Sequence, residues 1–182
     1  MINKYYKGRI LIMVEKIDLD MVRNSAFKYY TDGDFYCSEA VVLAIKEMFG
    51  LDYGDEVVRL ASGFAIGMGG SGCVCGAVVG ANMAIGMVFG RDKAKDRRVK
   101  KTLKLSKEVH DYFKEEKGSL CCRVLTRKFK KFGSKEHKEQ CALFTGELAY
   151  KTAEVIAREL KITVVKNGSE EIKIKKRGLF NF

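Results

Sequence analysis

Apolar side chains recur at helical spacing through most of the chain. Leu19, Val22, Ala26, Tyr29 and Tyr30 predict a helix over 18–30, and Ala40, Val41, Ala44, Ile45 and Met48 a second over 37–49, closed by Gly50. A short third helix over 55–61 leads into a glycine loop. A fourth over 75–89 carries small residues four apart (Gly76, Gly80, Ala84; Ala77, Ala81), which let another helix approach closely. Val99, Leu103, Leu105, Val109, Tyr112 and Phe113 predict a long amphipathic helix over 93–116, lysines outward, stopped at Gly118. A short helical piece follows over 119–129. Cys141, Phe144, Leu148, Ala149, Ala153, Ile156 and Leu160 then form the stripe of a last helix over 134–160.

The period changes at the end. Ile162-Thr-Val-Val165 and Glu170-Glu-Ile-Lys-Ile174 flank Asn167-Gly168, a hairpin pattern. A lone hairpin needs a surface to dock on, and a homodimer would supply one. The expected fold is all-α: a compact helical bundle around a buried glycine/alanine-rich helix, plus a small C-terminal β-hairpin. The expected division is an N-terminal extension over 1–14, a helical domain over 15–161 and a hairpin tail over 162–182.

Composition sharpens this outline. A chain of 182 residues with 47% apolar side chains has room for one well-filled core, and the absence of proline leaves its helices uninterrupted. The net charge of +11 is concentrated: residues 91–138 hold 18 basic and 7 acidic side chains. Such a segment would attract nucleic acid, anionic lipid or an acidic redox partner protein. A solvated helix face is the plainer reading and is preferred, so nucleic acid is not the expected partner. Residues 62–90 carry no charge, long enough to span a bilayer, but nine of residues 63–90 are glycine and 67–72 will not hold a helix. A buried central helix is therefore expected rather than a membrane span. The apolar run over 10–14 is too short for a secretory signal core, so a cytoplasmic protein is expected. There, stable disulfides are rare and six cysteines point to metal binding or redox work.

The cysteines carry the chemistry. Cys73 and Cys75 lie where the glycine loop becomes a helix; unpaired N–H groups there favour a thiolate and should lower the Cys75 pKa. Cys37 and Cys122 also begin helices after turns. Cys141 lies on the apolar stripe of the last helix and, taken alone, reads as a core cysteine. Cys121 and Cys122 point in different directions on a helix, so one of them does the work. There is no C-x-x-C pair and no covalent haem motif. His137 shares a helix face with Cys141, but a solvated histidine among lysines is the expected reading. Gly67-x-Gly69-x-x-Gly72 has dinucleotide-loop spacing without the preceding strand or the following acid, and is set aside.

Cys75-Gly-Ala-Val-Val-Gly80 resembles the CGAxxG hallmark of the redox-active protein family named for its pattern C_GCAxxG_C_C. The surroundings agree: Asp34-Phe-Tyr-Cys37-Ser-Glu-Ala-Val, Leu60-Ala-Ser-Gly-Phe64, Gly118-Ser-Leu-Cys-Cys122-Arg-Val-Leu125, and Cys141 in the last helix. The resemblance spans about 15–160 and implies Cys37, Cys75, Cys122 and Cys141 as the family's four cysteines. Cys73 and Cys121 are extra, with Cys73 a further candidate ligand.

Three readings follow. In the first, Cys37, Cys75, Cys122 and Cys141 hold an iron–sulfur cluster or another thiolate-bound metal, with Gly72, Gly76 and Gly80 lining it and loop N–H groups bonded to its sulfurs. In the second, no metal is needed: Cys75 attacks and Cys37 or Cys122 resolves in dithiol exchange. In the third, the protein is a non-catalytic helical module that is stapled by zinc or binds nucleic acid through its basic 91–138 face.

Overall fold

The computed structural model describes residues 14–166 and the backbone of the short strand at 171–172. Strand β1 (Lys16–Asp18) runs directly into α1 (Leu19–Thr31). The Asp18 carboxylate caps that helix, accepting the Asp20 and Met21 N–H groups at 2.9 and 3.2 Å. Helix α2 (Cys37–Met48) follows a tight turn, and the Tyr36 N–H donates to the Glu39 carboxylate at 2.8 Å across its first turn. Then come α3 (Glu56–Ala61), a 3₁₀ turn at Ser62–Phe64, and the one-turn α4 (Ala65–Met68). Helices α5 (Gly76–Phe89), α6 (Val99–Lys117), α7 (Cys122–Thr126) and α8 (Lys135–Leu160) complete the helical part.

The all-α expectation holds, with a small sheet added. Helix α5 packs on α2, α6 and α8, while α1 lies along α8. Ala77, Val78, Ala81, Ala84, Ile85 and Met87 of α5 are all buried, so the uncharged stretch is a core helix. Among the described residues no helix is long and apolar enough to cross a membrane.

Three boundaries differ from expectation. The helix expected from 93 begins at Val99, because Lys95 turns left-handed (φ 60°) and the Asp96 carboxylate takes the Arg98 N–H at 2.9 Å, an alternative to a helical turn. The piece expected over 119–129 shortens to α7, since residues 120–122 pair instead as extended chain with 73–75. The tail finds its partner within the chain: β2 (Thr163–Val165) pairs parallel with β1 and antiparallel with β3 (Glu171–Ile172), in the order β1-β2-β3. The Asn167-Gly168 turn and the extension at 1–12 lie outside the described residues.

Candidate functional site

The starts of α2, α5 and α7 meet beside α8 around one solvent-open cleft. Cys37 is the first residue of α2, Cys75 the N-cap of α5, Cys122 the first residue of α7, and Cys141 lies in the second turn of α8. All four line the cleft, together with Tyr30, Tyr36, Ile66 and His137. The resemblance's four cysteines thus converge from four separate elements. Cys73 is exposed and does not line the cleft; Cys121 turns away and its thiol donates to the Gly72 carbonyl at 3.3 Å.

Backbone pairing brings two of the four together. Val74 sits opposite Cys121 in an antiparallel bridge, the Cys75 N–H donates to the Leu120 carbonyl at 2.8 Å, and the Arg123 N–H to the Gly72 carbonyl at 3.0 Å. The glycines of the Cys75-Gly-Ala-Val-Val-Gly80 motif act as space for α2. A Cβ at Gly76 would lie 2.5 Å from the Cys37 Sγ, and one at Gly80 would lie 2.5 Å from the Ser38 carbonyl oxygen. Any side chain there pushes the start of α2, and Cys37 with it, off α5. Gly76 also lines the cleft; Gly80 and Gly72 do not. Gly72 packs on Arg123, whose side chain a Cβ there would meet at 3.3 Å.

Four sulfurs in one cleft, two buried and two half-buried, face two opposing effects. Burial disfavours the thiolate, whereas N–H groups at helix starts favour it. Burial wins at each site. It pushes the Cys75 thiol well up, reinforced by neighbouring Cys37 and opposed by N–H groups of Ala77 and Val78. It raises Cys37 too, against N–H groups of Ile66, Ser38 and Ala77. Cys122 is raised by burial and then by Cys37 and Cys121, and Cys141 is pushed up to about 12 by burial and then Cys37, with the Tyr30 hydroxyl pulling back. The expected lowering of Cys75 is present as a contribution, but it is the smaller one. Cys37 is the common neighbour, within electrostatic reach of the other three.

One contact comes from a strained backbone. Ile66 holds φ 55°, a left-handed conformation that β-branched residues rarely adopt, and its N–H points to the Cys37 sulfur.

His137 is not solvated. It is 3% exposed, with ring contacts to Phe129 (5.6 Å between centroids) and Phe132 (4.5 Å). Its Nδ1 accepts the Gly133 N–H at 3.2 Å, and its Nε2 lies 3.9 Å from the Cys141 Sγ. Burial lowers its pKa and favours the neutral ring. Tyr30, from α1, lines the cleft with Cys141, and burial raises its phenol pKa well above the ordinary value. Spacing hinted at His137, four residues before Cys141; nothing local marked Tyr30, Tyr36 or Ile66.

Among the described residues no three His, Cys, Asp or Glu side chains stand close enough to hold a single metal ion.

A family model described as "Putative redox-active protein (C_GCAxxG_C_C)" matches residues 35–155, which include all four cleft cysteines. No curated protein and no solved structure matches the chain.

Proposed function

The chain belongs to this redox-active family, and from that premise we propose that Cys37, Cys75, Cys122 and Cys141 hold an iron–sulfur cluster used for electron transfer or redox sensing. The observation that carries the reading is the meeting of four thiols from four elements in one cleft. Four cysteine thiolates are the usual ligand set of binuclear and cubane clusters, whose potentials follow net charge, hydrogen bonds to sulfur and exposure. When bound, such a cluster supplies a one-electron couple.

The rest is the work of the chain. N–H groups of Ile66, Ser38, Ala77 and Val78 aim at the Cys37 and Cys75 sulfurs and offset negative charge there. Phe132, Phe144 and Ile66 give the cleft apolar walls. The raised thiol pKa values mean that the metal-free chain keeps its protons on sulfur at neutral pH. Those protons must leave as metal binds, so assembly is favoured as pH rises.

One feature favours this reading over dithiol exchange. Dithiol exchange needs a thiolate at neutral pH, and burial raises all four cleft thiols.

The test replaces each cysteine by serine, one at a time, in protein purified without oxygen and loaded with iron and sulfide. Loss of each of Cys37, Cys75, Cys122 and Cys141 is expected to cut bound iron and sulfide at least several-fold, while Cys73→Ser and Cys121→Ser retain both. Full iron and sulfide in a Cys141→Ser variant would sink the four-ligand assignment.

A further inference from the structure

The chain's positive charge is answered by carboxylates in one place and left open in another. On α6, Lys101 and Lys117 pair with Glu159 and Glu147 of α8, each at 2.8 Å, and Lys107 pairs with Asp111 one turn on. Arg98, the N-cap of that helix, holds Asp96 at 2.7 Å. The segment after α6 differs. Residues 119–138 carry seven basic side chains, from Arg123 to Lys138, against one acid, Glu136. All seven are exposed, and among the described residues none of them forms an ion pair. Like charges this close repel one another, and an acidic surface laid against them relieves that repulsion.

The open charge flanks an apolar mouth. The same segment supplies Cys122, Phe132 and His137 to the wall of the thiol cleft. Phe132 is 60% exposed, and Tyr36, which also lines the cleft, is 55% exposed. Val124 stands out from α7 beside Arg123, and Met68 from α4, the helix that packs on α7; each is 42% exposed. Exposed aromatic, methionine and aliphatic side chains with charge of one sign beside them suit a protein partner, in which apolar contact holds and charge steers. Phosphates would use the cations but gain nothing from Met68 and Val124. The five-residue α7 is also too short to lie along a nucleic-acid groove.

We propose that the 119–138 segment and the apolar mouth beside it are the docking surface for an acidic redox protein, which meets the cleft thiols there. This rests on the cleft being the redox site proposed above, but not on a cluster filling it. Complexes between redox proteins are small and short-lived, and charge complementarity sets how fast they form. The field of exposed cations reaches about 8 Å at physiological salt and shrinks as salt is added, so docking here is salt-sensitive.

The probe is a small acidic two-iron ferredoxin, titrated against the full chain isolated without oxygen. Its affinity is expected to fall roughly tenfold between about 50 and about 200 mM salt. Changing Lys130, Lys131 and Lys135 together to Glu is expected to weaken low-salt binding at least about tenfold. Changing Lys93, Lys100 and Lys104 to Glu alters net charge equally at exposed lysines that also lack ion pairs, and should cost less than about twofold. Val124→Ser is expected to weaken binding several-fold at both salt concentrations, which loss of steering alone does not do. Equal losses in the two triple variants would reduce the effect to net charge and overturn the inference, as would a wild-type chain that does not bind the ferredoxin at low salt. Tighter binding of single-stranded DNA, or of phosphatidylserine vesicles, lost in the first triple variant, would overturn it in favour of nucleic acid or membrane. None of the substituted residues lines the cleft, so iron and sulfide analysis of the same samples tests the cluster separately. A chain that holds neither removes the cluster reading, and the binding curves still decide this one.

Discussion

Gly76 shows how one absent methyl group decides where a sulfur sits. The Cys37 Sγ and the Phe64 carbonyl oxygen lie 2.5 and 2.9 Å from where its Cβ would be. Neither can be relieved by a long flexible side chain. Gly86, ten residues on in the same helix, has nothing within 4 Å of that point. Gly76→Ala is therefore expected to destabilise the fold by about 1–3 kcal/mol from overpacking and to cut cluster loading. Gly86→Ala should be neutral or stabilise by up to about 1 kcal/mol through helix propensity. Denaturant melts of both, with iron analysis, check the pair; equal effects would mean that the motif glycine serves the helix rather than the sulfur. The sequence marked Gly76 as a motif glycine and did not mark Gly86, but the Cys37 sulfur behind Gly76 was not legible in it. The four cysteines were legible by resemblance. Tyr30 was not, and His137 only by its four-residue spacing from Cys141, because the cleft that they line is brought together by α1, α8 and the 119–138 segment. Ile66 carries no local sign of its left-handed turn.

Among the elements, the long periodic helices were readable to within a residue or two: α1, α2, α5 and α8 begin and end close to where apolar spacing and glycine stops put them. The failures lie where side chains or distant backbone competed with the helix, as at Asp96 before α6 and at 120–122 before α7. Strand β1 was missed because three residues have no period of their own and are defined by pairing with β2. Helix α6 also departs from a purely solvated basic face. Glu108 accepts both guanidinium N–H groups of Arg158 on α8 at 2.7 and 2.8 Å, and Lys101 and Lys117 reach Glu159 and Glu147 of the same helix, each at 2.8 Å. The Arg158 side chain is only 13% exposed; Glu159 also accepts from it at 3.2 Å, but Glu108 is the closer, two-pronged partner. Glu108→Gln is expected to cost about 1–3 kcal/mol at neutral pH. The pH dependence has a definite sign. Arg158 holds the Glu108 carboxyl below its ordinary value, so its stabilisation is present above the usual carboxylate range and is lost as pH falls through the lowered value. Thermal melts between pH 7 and 3 should show a shallower acid limb in the variant; identical limbs would remove Glu108 from that account.

At the scale of the whole molecule, the chain builds a bundle whose central helix presents its N-terminus to a cleft. A three-stranded sheet joins the residues before α1 to those after α8. The positive segment contributes to the site directly: residues 119–138 carry seven basic side chains and one acidic, and supply Cys122, Phe132 and His137 to the cleft. The chemistry of the cleft depends on what its four thiols hold. The measurement that addresses this most directly is iron and acid-labile sulfide per chain, with the visible spectrum, on wild-type protein isolated without oxygen. The account predicts iron and sulfide in matching amounts, with charge-transfer absorbance near ~400 nm that bleaches on reduction. A colourless protein that binds neither, even after loading with iron and sulfide, would contradict it.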